Sequence, residues 1–257
     1  MQTLSWVYKI LKLCDPPLNG LHLVPTLPNL SDLYFQMVAI AWDIETCPLP
    51  ESDFSYCHQS RLEKEVSNLQ ERNPDQNEQE SSRQARSFHP YLGWISCISV
   101  VRGKVGSGHG DPHSWTAASP EEEKGLLQDF WETIEQVGQG RRRDGQPVWV
   151  TFNGKTFDVP YLTARTAHHG LRRSREDITV THRYRNNKHA DLINTWPCSF
   201  GLGDLCDHLG VPNPKSEIDG SEVAQAVTEG RIDEVRRYCE RDVVATYRCF
   251  SEIHWAL

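Results

Sequence analysis

The chain carries an apolar run that ends in two acids, and this run most constrains its fold. Residues 38–42 are all apolar, and Asp43 and Glu45 follow them with one residue between. A short, continuous apolar run of this kind is typical of a buried strand. Since side chains alternate across a strand, Asp43 and Glu45 lie on the same face. The sequence therefore predicts two neighbouring carboxylates at the end of a core strand.

Three further candidate site residues lie in two other segments. Asp158 comes shortly after a hydrophobic run at 148–152, which predicts a second buried strand. Tyr238 and Asp242 are four residues apart, so they share a face if their segment is helical. Four carboxylates suit hard divalent cations such as Mg²⁺ or Mn²⁺, because these cations prefer oxygen ligands. A pair of such cations can activate water and stabilise the charge that develops when a phosphodiester is hydrolysed.

Three motifs occur along the chain in this order: DIET at 43–46, NGKTFDVPYL at 153–162 and YCERD at 238–242. With these motifs the chain resembles the predicted 3′-5′ exonucleases related to the exonuclease domain of family B DNA polymerases, within the DEDD, DnaQ-like group. The likeness extends over most of residues 38–251 and includes HADLINTW at 189–196. It implies an α/β fold, with a ribonuclease H-like mixed sheet flanked by helices. It also implies a metal-dependent 3′-5′ exonuclease that acts on single-stranded DNA or RNA ends.

The resemblance implies a role for each of the five candidates in a site with two divalent cations, Mg²⁺ or Mn²⁺. Asp43 would bridge both cations, and Glu45 and Asp242 would complete the first metal site. Asp158 would hold the second cation through water. Tyr238 would orient the attacking water or help to deprotonate it.

Structural alternatives exist for several residues. Asp158 could act only as the N-cap of the helix that follows it, and Tyr238 could be a core aromatic side chain. In the histidine branch of the DEDD group, a histidine stands five residues before the last acid. Arg237 holds that position here, so the tyrosine branch is expected. His189 and Asp191 belong to connecting structure in the related family, and no direct metal role is expected for them.

Substrate contacts are predicted in three places. Asn153 and Gly154 precede the aspartate of the second motif, where a small residue permits close approach and an amide can bond to a sugar or phosphate. Residues 165–188 carry seven lysines or arginines against two acids, a basic strip that either guides a phosphate backbone or is an ordinary solvated loop. Lys215 is a further candidate phosphate contact. The contacts expected from the basic strip are Arg183, Arg185 and Lys188.

The chain of 257 residues is long enough for one enzyme domain with a substantial core. We expect this domain at 37–257, after a leader or extension of uncertain origin at 1–36. Residues 60–87 are rich in Gln, Glu, Asn, Ser and Arg, which predicts a flexible insertion or else a solvated helix. The net charge of −8 argues against a nucleic-acid coat protein, but it is compatible with an enzyme that touches a few phosphates.

Apolar runs and capping signals predict the secondary structure. Ser119 is followed by a proline and acids, which predicts a helix that ends at the glycines near 138–140. Two or three helices should fill 201–253. The other expected elements are strands at 38–43, 94–101, 113–117 and 148–152 and a helix from about 159 to 170. Together these elements fit a mixed sheet with helices on both faces.

Eight cysteines are scattered without a CxxC pair, which predicts reduced thiols in a cytoplasmic protein rather than a disulfide framework. No apolar run is long enough to span a membrane. The expected partner is nucleic acid, through single-stranded 3′ ends. Two other functions stay open. One is a non-catalytic nucleic-acid-binding module of the same fold, which should have lost at least one acid, and the other is a ribonuclease that trims structured RNA.

Overall fold

The computed structural model describes residues 37–136, 147–173, 177–182, 188–214 and 218–257. The predictions for residues 1–36, Arg183, Arg185 and Lys215 lie outside this part of the chain. A mixed sheet forms the centre of the described fold, with six strands. They are β1 Val38–Pro48, β2 Gly93–Lys104, β3 Gly108–His109, β4 His113–Thr116, β5 Val148–Thr151 and β6 His189–Asp191.

The strand order places the acid-bearing strand in the middle of the sheet. The order is β3-β2-β1-β5-β6, and β4 also pairs with β2. β2 runs antiparallel to β1, β3 and β4, whereas β5 is parallel to β1 and β6 is parallel to β5. The four strands predicted from apolar runs are all present, although β1 and β2 extend several residues further. β6 was not predicted, because HADLINTW was expected only as connecting structure.

Helices accompany the sheet along the whole described chain. They are α1 Tyr56–Arg72, α2 Glu78–Phe88, α3 Glu123–Gln136, α4 Asp158–His168, α5 Leu202–Leu209, α6 Val223–Thr228 and α7 Ile232–Ile253. The helix expected after Ser119 begins only at Glu123, because the Glu122 N–H donates to the Ser119 oxygen and closes a turn first. The Glu122 carboxylate also accepts a hydrogen bond from the Ala118 N–H at 2.7 Å. These bonds fix the direction in which the chain enters α3.

The polar segment at 60–87 lies within the two helices α1 and α2. Ser55 and Asn77 are their N-caps, and each side chain accepts a hydrogen bond from the backbone N–H three residues later. Both residue types are favourable at this position. α1 has no buried residue, and the buried residues of α2 are the small Ser81, Ala85 and Ser87. The segment therefore consists of two solvated helices, which explains its lack of large apolar side chains.

Alternation along β1 decides which helix covers its acids. The even-numbered side chains of residues 40–44 belong to one apolar core, which they share with α3 and α4. Ala39 and Ala41 belong to a second core, which contains side chains of α5 and α7. Asp43 and Glu45 continue the alanine face by the period of two. α7 therefore packs over the acids, and the small alanines let it lie close to the strand.

Two further observations concern expectations from composition. Within the described residues, no helix combines the length and the apolar character needed to cross a membrane. The seven cysteines in this part of the chain carry free thiols, and Cys206 Sγ lies 3.6 Å from Cys249 Sγ.

Candidate active site

β1 presents its two acids at a β-bulge. The register between β1 and β2 shifts between Glu45 and Thr46, immediately after the second acid. Glu45 is buried, and Asp43 is partly buried. Bulges beside active sites commonly re-aim a side chain by bending the strand and increasing its twist. The bulge therefore sets the direction of the Glu45 carboxylate.

Asp158 reaches β1 although it is 114 residues away from it in sequence. It is the first residue of α4, and its Oδ1 accepts a hydrogen bond from the Ile44 N–H at 3.1 Å. The N-cap position of α4 is held by Phe157 instead. Asp158 therefore ties the start of α4 to the backbone between Asp43 and Glu45, and does not act as a simple cap.

α7 brings a tyrosine, a cysteine and an acid to the same place. Cys239 Sγ lies 3.7 Å from Asp43 Oδ2. The possible ligand atoms of Asp43, Glu45 and Cys239 all lie within 4.8 Å of one another. The charges of Asp43, Glu45 and Asp242 raise the pKa of Tyr238, so these groups are neighbours. The sequence analysis missed Cys239, whose only signal was its position inside the YCERD motif on a buried helix face.

Burial raises the pKa of every carboxyl in this cluster. The pKa values of Asp43 and Glu45 lie well above their usual range, chiefly because of desolvation and further because other carboxylates are near. Burial likewise raises the pKa of Asp158 to about 7 and that of Asp242 to about 8. The charge of Arg241 opposes the rise at Asp242 without cancelling it. The described protein therefore leaves this buried negative charge largely uncompensated.

Both other polar groups of the cluster keep their protons. Burial is the main reason that the pKa of Cys239 lies well above its usual range, and the neighbouring Cys97, Asp43 and Glu45 raise it further. Burial and the same acids also raise the pKa of Tyr238. The other possible ligands of the cluster are carboxylate oxygens, which suit magnesium or manganese.

Asp191 holds the turn that leads to Asp158. Its Oδ1 accepts a hydrogen bond from the Asn153 N–H at 2.6 Å, and its Oδ2 accepts one from the Lys155 N–H at 2.9 Å. Asn153 has a φ of 65°, in the left-handed region that residues other than glycine rarely adopt. The two bonds stabilise this conformation. Asp191 is therefore a positioning residue for the second motif, in line with its expected place in connecting structure.

Gly154 is required by packing within the protein. A Cβ at this position would overlap the side chain of Thr151. The Thr151 hydroxyl is itself fixed, because it lies 2.9 Å from His189 Nε2. The close approach predicted for Gly154 is thus made to strand β5. Contact of Asn153 or Gly154 with substrate stays a prediction.

The predicted basic strip is not one continuous surface. Arg165 is buried in α4, where its Nη2 lies 2.6 Å from the Glu123 carboxylate. The same carboxylate lies 2.7 Å from His169 Nε2 and accepts a hydrogen bond from the Ile95 N–H at 2.8 Å. Including Arg165 among the cations of a strand-guiding strip was therefore wrong. Lys188 is exposed just before β6, and its contact with substrate stays a prediction.

A cavity of about 590 Å³ opens beside Glu45. Phe88 and Phe157 line it, and their rings meet edge to face with centroids 5.8 Å apart. Phe88 is 55% exposed, which is unusual for a large apolar side chain. Gln76 and Gln84, from the end of the α1–α2 connection and from α2, also line the cavity. The connection between α1 and α2, together with α2, therefore forms one wall of the cavity beside Glu45.

The fold agrees with that of a known polymerase structure. Among solved structures, the family B DNA polymerase from the hyperthermophilic archaeon Pyrobaculum calidifontis is similar, with a TM-score of 0.55 and 15% sequence identity over 85% of this chain. The chain spans 24% of the length of that polymerase. At this identity the likeness shows the fold alone, and the predicted α/β, ribonuclease H-like fold is confirmed. No curated protein matches the sequence.

The family relation rests on a longer stretch than the three motifs. The family described as "Predicted 3'-5' exonuclease related to the exonuclease domain of PolB" matches residues 91–255, more than half of the 257 residues. This stretch includes the motifs at 153–162 and 238–242, and it begins after the acids of β1. The resemblance inferred from the motifs is thereby confirmed, and the chain belongs to the family of predicted 3′-5′ exonucleases related to the exonuclease domain of PolB.

Proposed function

We propose that this protein is a metal-dependent 3′-5′ exonuclease that hydrolyses phosphodiester bonds at the 3′ ends of single-stranded DNA or RNA. The observation that carries the proposal is the acid cluster of Asp43, Glu45, Asp158 and Asp242, whose pKa values are all raised by burial. Buried charge without a partner is costly, and bound divalent cations remove that cost. Perturbed carboxyls that converge in this way are typical of functional sites.

The donor set fits magnesium or manganese. Asp43, Glu45 and Asp242 would hold the first cation, with Asp43 shared and Asp158 serving the second. All of these donors are oxygens, which are the ligands that such hard cations prefer. When bound, two such cations supply a more acidic water and stabilise negative charge on the phosphoryl group and the leaving oxygen.

The chain's own residues would position the reactants. The hydrogen bond from the Ile44 N–H to Asp158 holds the Asp158 carboxylate at a fixed position relative to β1, which carries Asp43 and Glu45. Since the pKa of Tyr238 is raised, its hydroxyl keeps its proton at neutral pH. A protonated phenol can donate a hydrogen bond to a water or to a phosphate oxygen. This supports a water-orienting role for Tyr238 over proton abstraction.

The cavity beside Glu45 would receive the 3′-terminal nucleotide. Phe88 and Phe157 offer aromatic surface for stacking, which contributes about 1–3 kcal/mol per base in single-strand complexes. Gln76 and Gln84 offer side-chain amides, which both donate and accept hydrogen bonds. Such a lining accepts several bases, as an exonuclease that degrades mixed sequences requires.

The proposal is tested by incubating 5′-labelled DNA and RNA oligonucleotides with the protein and Mn²⁺, with and without excess chelator. We expect a ladder of products that shortens from the 3′ end and disappears in chelator. The relative rates on the two oligonucleotides measure the sugar preference. An oligonucleotide with a blocked 3′ end is the control. Full cleavage in excess chelator, or products that keep an intact 3′ end, would contradict the proposal.

Tyr238→Phe tests the assignment to the tyrosine branch. The substitution keeps the ring and removes the hydroxyl, so turnover should fall roughly 10²- to 10⁴-fold, the usual contribution of a positioned acid–base group. The unfolding temperature and the affinity for a single strand should stay close to those of the wild type. Unaltered turnover would remove Tyr238 from the mechanism and leave water activation to the cations.

A further inference from the structure

α7 carries an arginine face beside the acid cluster. This face consists of Arg237, Arg241 and Arg248, which line one cavity of about 370 Å³. Their spacings of four and seven residues place them along one stripe of the helix. A rise of 1.5 Å per residue makes this stripe roughly 16 Å long. Asp242 directly follows Arg241, so the arginine face adjoins the proposed catalytic face.

The arginine face holds positive charge that other residues do not neutralise. Among the described residues, no ion pair joins Arg237 or Arg241 to an acid, although the charge of Arg241 acts on Asp242, and Arg248 Nε lies 3.4 Å from His109 Nε2. Arg236, on another side of the same helix, instead pairs with two acids. On α7, Arg236 is therefore paired with acids, whereas the three arginines of the arginine face line the cavity.

One acid borders the cavity, but its charge is already compensated. Glu240 Oε1 accepts hydrogen bonds from Arg236 Nη1 at 2.8 Å and from Ser114 Oγ at 3.0 Å. The cavity thus keeps a positive charge, although the whole chain has a net charge of −8. A local concentration of positive charge in an acidic protein favours a polyanionic ligand.

The cavity of the arginine face adjoins a second cavity beside the acid cluster. Asn213 and Pro214 line both this cavity and a second one, of about 390 Å³, that is also lined by Tyr238 and Asp242. Three prolines contribute to the lining at the arginine face. Prolines have no backbone N–H, so the guanidinium groups are the strongest donors there. The arginine face and the acid cluster therefore border neighbouring cavities that share part of their lining.

We propose that the arginine face binds the phosphodiester backbone of the substrate strand, a few nucleotides upstream of the bond that is cleaved. This inference rests on the proposed exonuclease function and gives the bound strand a direction. The 3′-terminal nucleotide enters the cavity beside Glu45, and the preceding phosphates follow α7. Guanidinium groups suit this task because their paired N–H donors match the oxygens of a phosphate.

The test compares an Arg237→Gln/Arg248→Gln variant with the wild type. A Lys64→Gln/Lys124→Gln variant is the matched control, since it also removes two positive charges and neither lysine lines the two neighbouring cavities. Both lysines and Arg237 are exposed, and Arg248 is partly buried. Arg241 stays unchanged because its charge acts on the neighbouring acid. Binding of a 5′-labelled single strand is measured by fluorescence anisotropy in chelator, over a series of salt concentrations.

We expect the arginine variant to bind the strand roughly tenfold more weakly near physiological salt. Its salt slope should fall by about 1.4, because each phosphate contact of a single strand contributes about 0.7. The lysine control should bind like the wild type. With Mn²⁺, all three proteins should hydrolyse the p-nitrophenyl ester of thymidine 5′-monophosphate equally, since this small reporter reaches only the acid cluster.

Equal affinities and equal salt slopes for the wild type and the arginine variant would overturn the inference, and so would an equal loss in the lysine control. Tighter binding of polyglutamate than of the oligonucleotide, lost in the arginine variant, would also overturn it by assigning the face to an acidic protein segment. Failure of the wild type to hydrolyse either the reporter or the strand would contradict the proposed function instead. Binding in chelator is measured independently of that outcome.

Discussion

Glu123 and the acid cluster around Asp43 differ in how the negative charge of their carboxyls is balanced. Glu123 is completely buried, and its carboxylate meets the guanidinium of Arg165, the ring of His169 and a backbone N–H of β2. The carboxyls around Asp43 are also buried, but their main charged neighbours are one another. The fold places an arginine against the Glu123 carboxylate, whereas the carboxyls around Asp43 mainly have one another as charged neighbours.

This difference separates the structural acid from the proposed catalytic acids better than burial does. Glu123 joins α3 to α4 and β2, so its compensated charge holds three elements together. The acid cluster also joins β1, α4 and α7, but its charge is balanced only by protons or by cations from outside. Removing one partner from a compensated pair is costly, whereas an uncompensated cluster is poised for a ligand.

The largest expected effect is at Asp43. Asp43→Asn keeps the shape of the side chain but removes a charge shared by both proposed cation sites. We expect the rate on a labelled single strand in Mn²⁺ to fall roughly 10⁴-fold or more. The reason is that bound cations supply several kcal/mol of charge stabilisation, and each 1.36 kcal/mol is a factor of ten in rate. A rate close to that of the wild type would show that this cluster does not bind the catalytic cations.

The second effect concerns the compensated group. Glu123→Gln leaves Arg165 buried without a counter-charge, so the free energy of unfolding should fall by about 3–5 kcal/mol. Asp43→Asn should leave the metal-free protein equally stable or more stable, because it removes a repelling charge. Urea unfolding in chelator measures both variants. Glu121→Gln, at an exposed position, is the control and should leave the free energy of unfolding nearly unchanged. Similar destabilisation by Glu123→Gln and Asp43→Asn would erase the distinction between the two groups.

Divalent cations should stabilise the protein through the uncompensated group alone. Mg²⁺ or Mn²⁺ at 100 times its Kd should raise the free energy of unfolding by about 2.7 kcal/mol, because it binds the folded state preferentially. Thermal unfolding with and without the cation measures this response. Glu123→Gln should keep the response, and Asp43→Asn should lose it. A full response in Asp43→Asn would place the stabilising cation elsewhere in the protein.

The last expected effect is a fall in the stability of the metal-free protein as pH rises. In the folded protein the pKa is about 7 for Asp158 and about 8 for Asp242, whereas an aspartate in the unfolded chain has a pKa of about 3.9. Between these values the folded state binds more protons than the unfolded state, so the free energy of unfolding decreases with pH. We expect the free energy of unfolding to decrease from about pH 4 to about pH 8, because both groups hold a proton in the folded state over part of this range. Acids with a lowered pKa, such as Asp219, act in the opposite sense.

Urea unfolding in chelator at several pH values between these limits measures this loss. Asp242→Asn removes one of the two shifted groups and should flatten the dependence. Stability that rises across the same range in the wild type would contradict the pKa values of the cluster.

Local geometry made part of the site predictable from the sequence. The period of two placed Asp43 and Glu45 on one face of β1, and the spacing of four placed Tyr238 and Asp242 on one face of α7. Such relations depend only on neighbouring residues. The ion pair of Arg165 was missed because its partner Glu123 is 42 residues away, and their contact depends on how α3 packs against α4.

Other features could not be predicted from the sequence because they depend on the local conformation of the backbone. β6 has only three residues, too few to show a period, and the role of Asp191 depends on the positive φ of Asn153. Composition showed that the segment at 60–87 is solvated, but it did not decide between a helix and a flexible chain. The caps Ser55 and Asn77 mark the helix starts, and they are visible only when they are examined together with the residues three positions later.

The hydrogen bond between Ile44 and Asp158 also has a consequence for synthesis of the chain. It closes a loop of 114 residues, and the contact between Asp43 and Cys239 closes one of 196 residues. Contacts of such separation form after local ones, because closing a long loop costs entropy before the contact repays it. While the chain emerges from the ribosome, its first acids are exposed long before α7 exists. The proposed active site is therefore incomplete until α7 has been synthesised and has packed against β1.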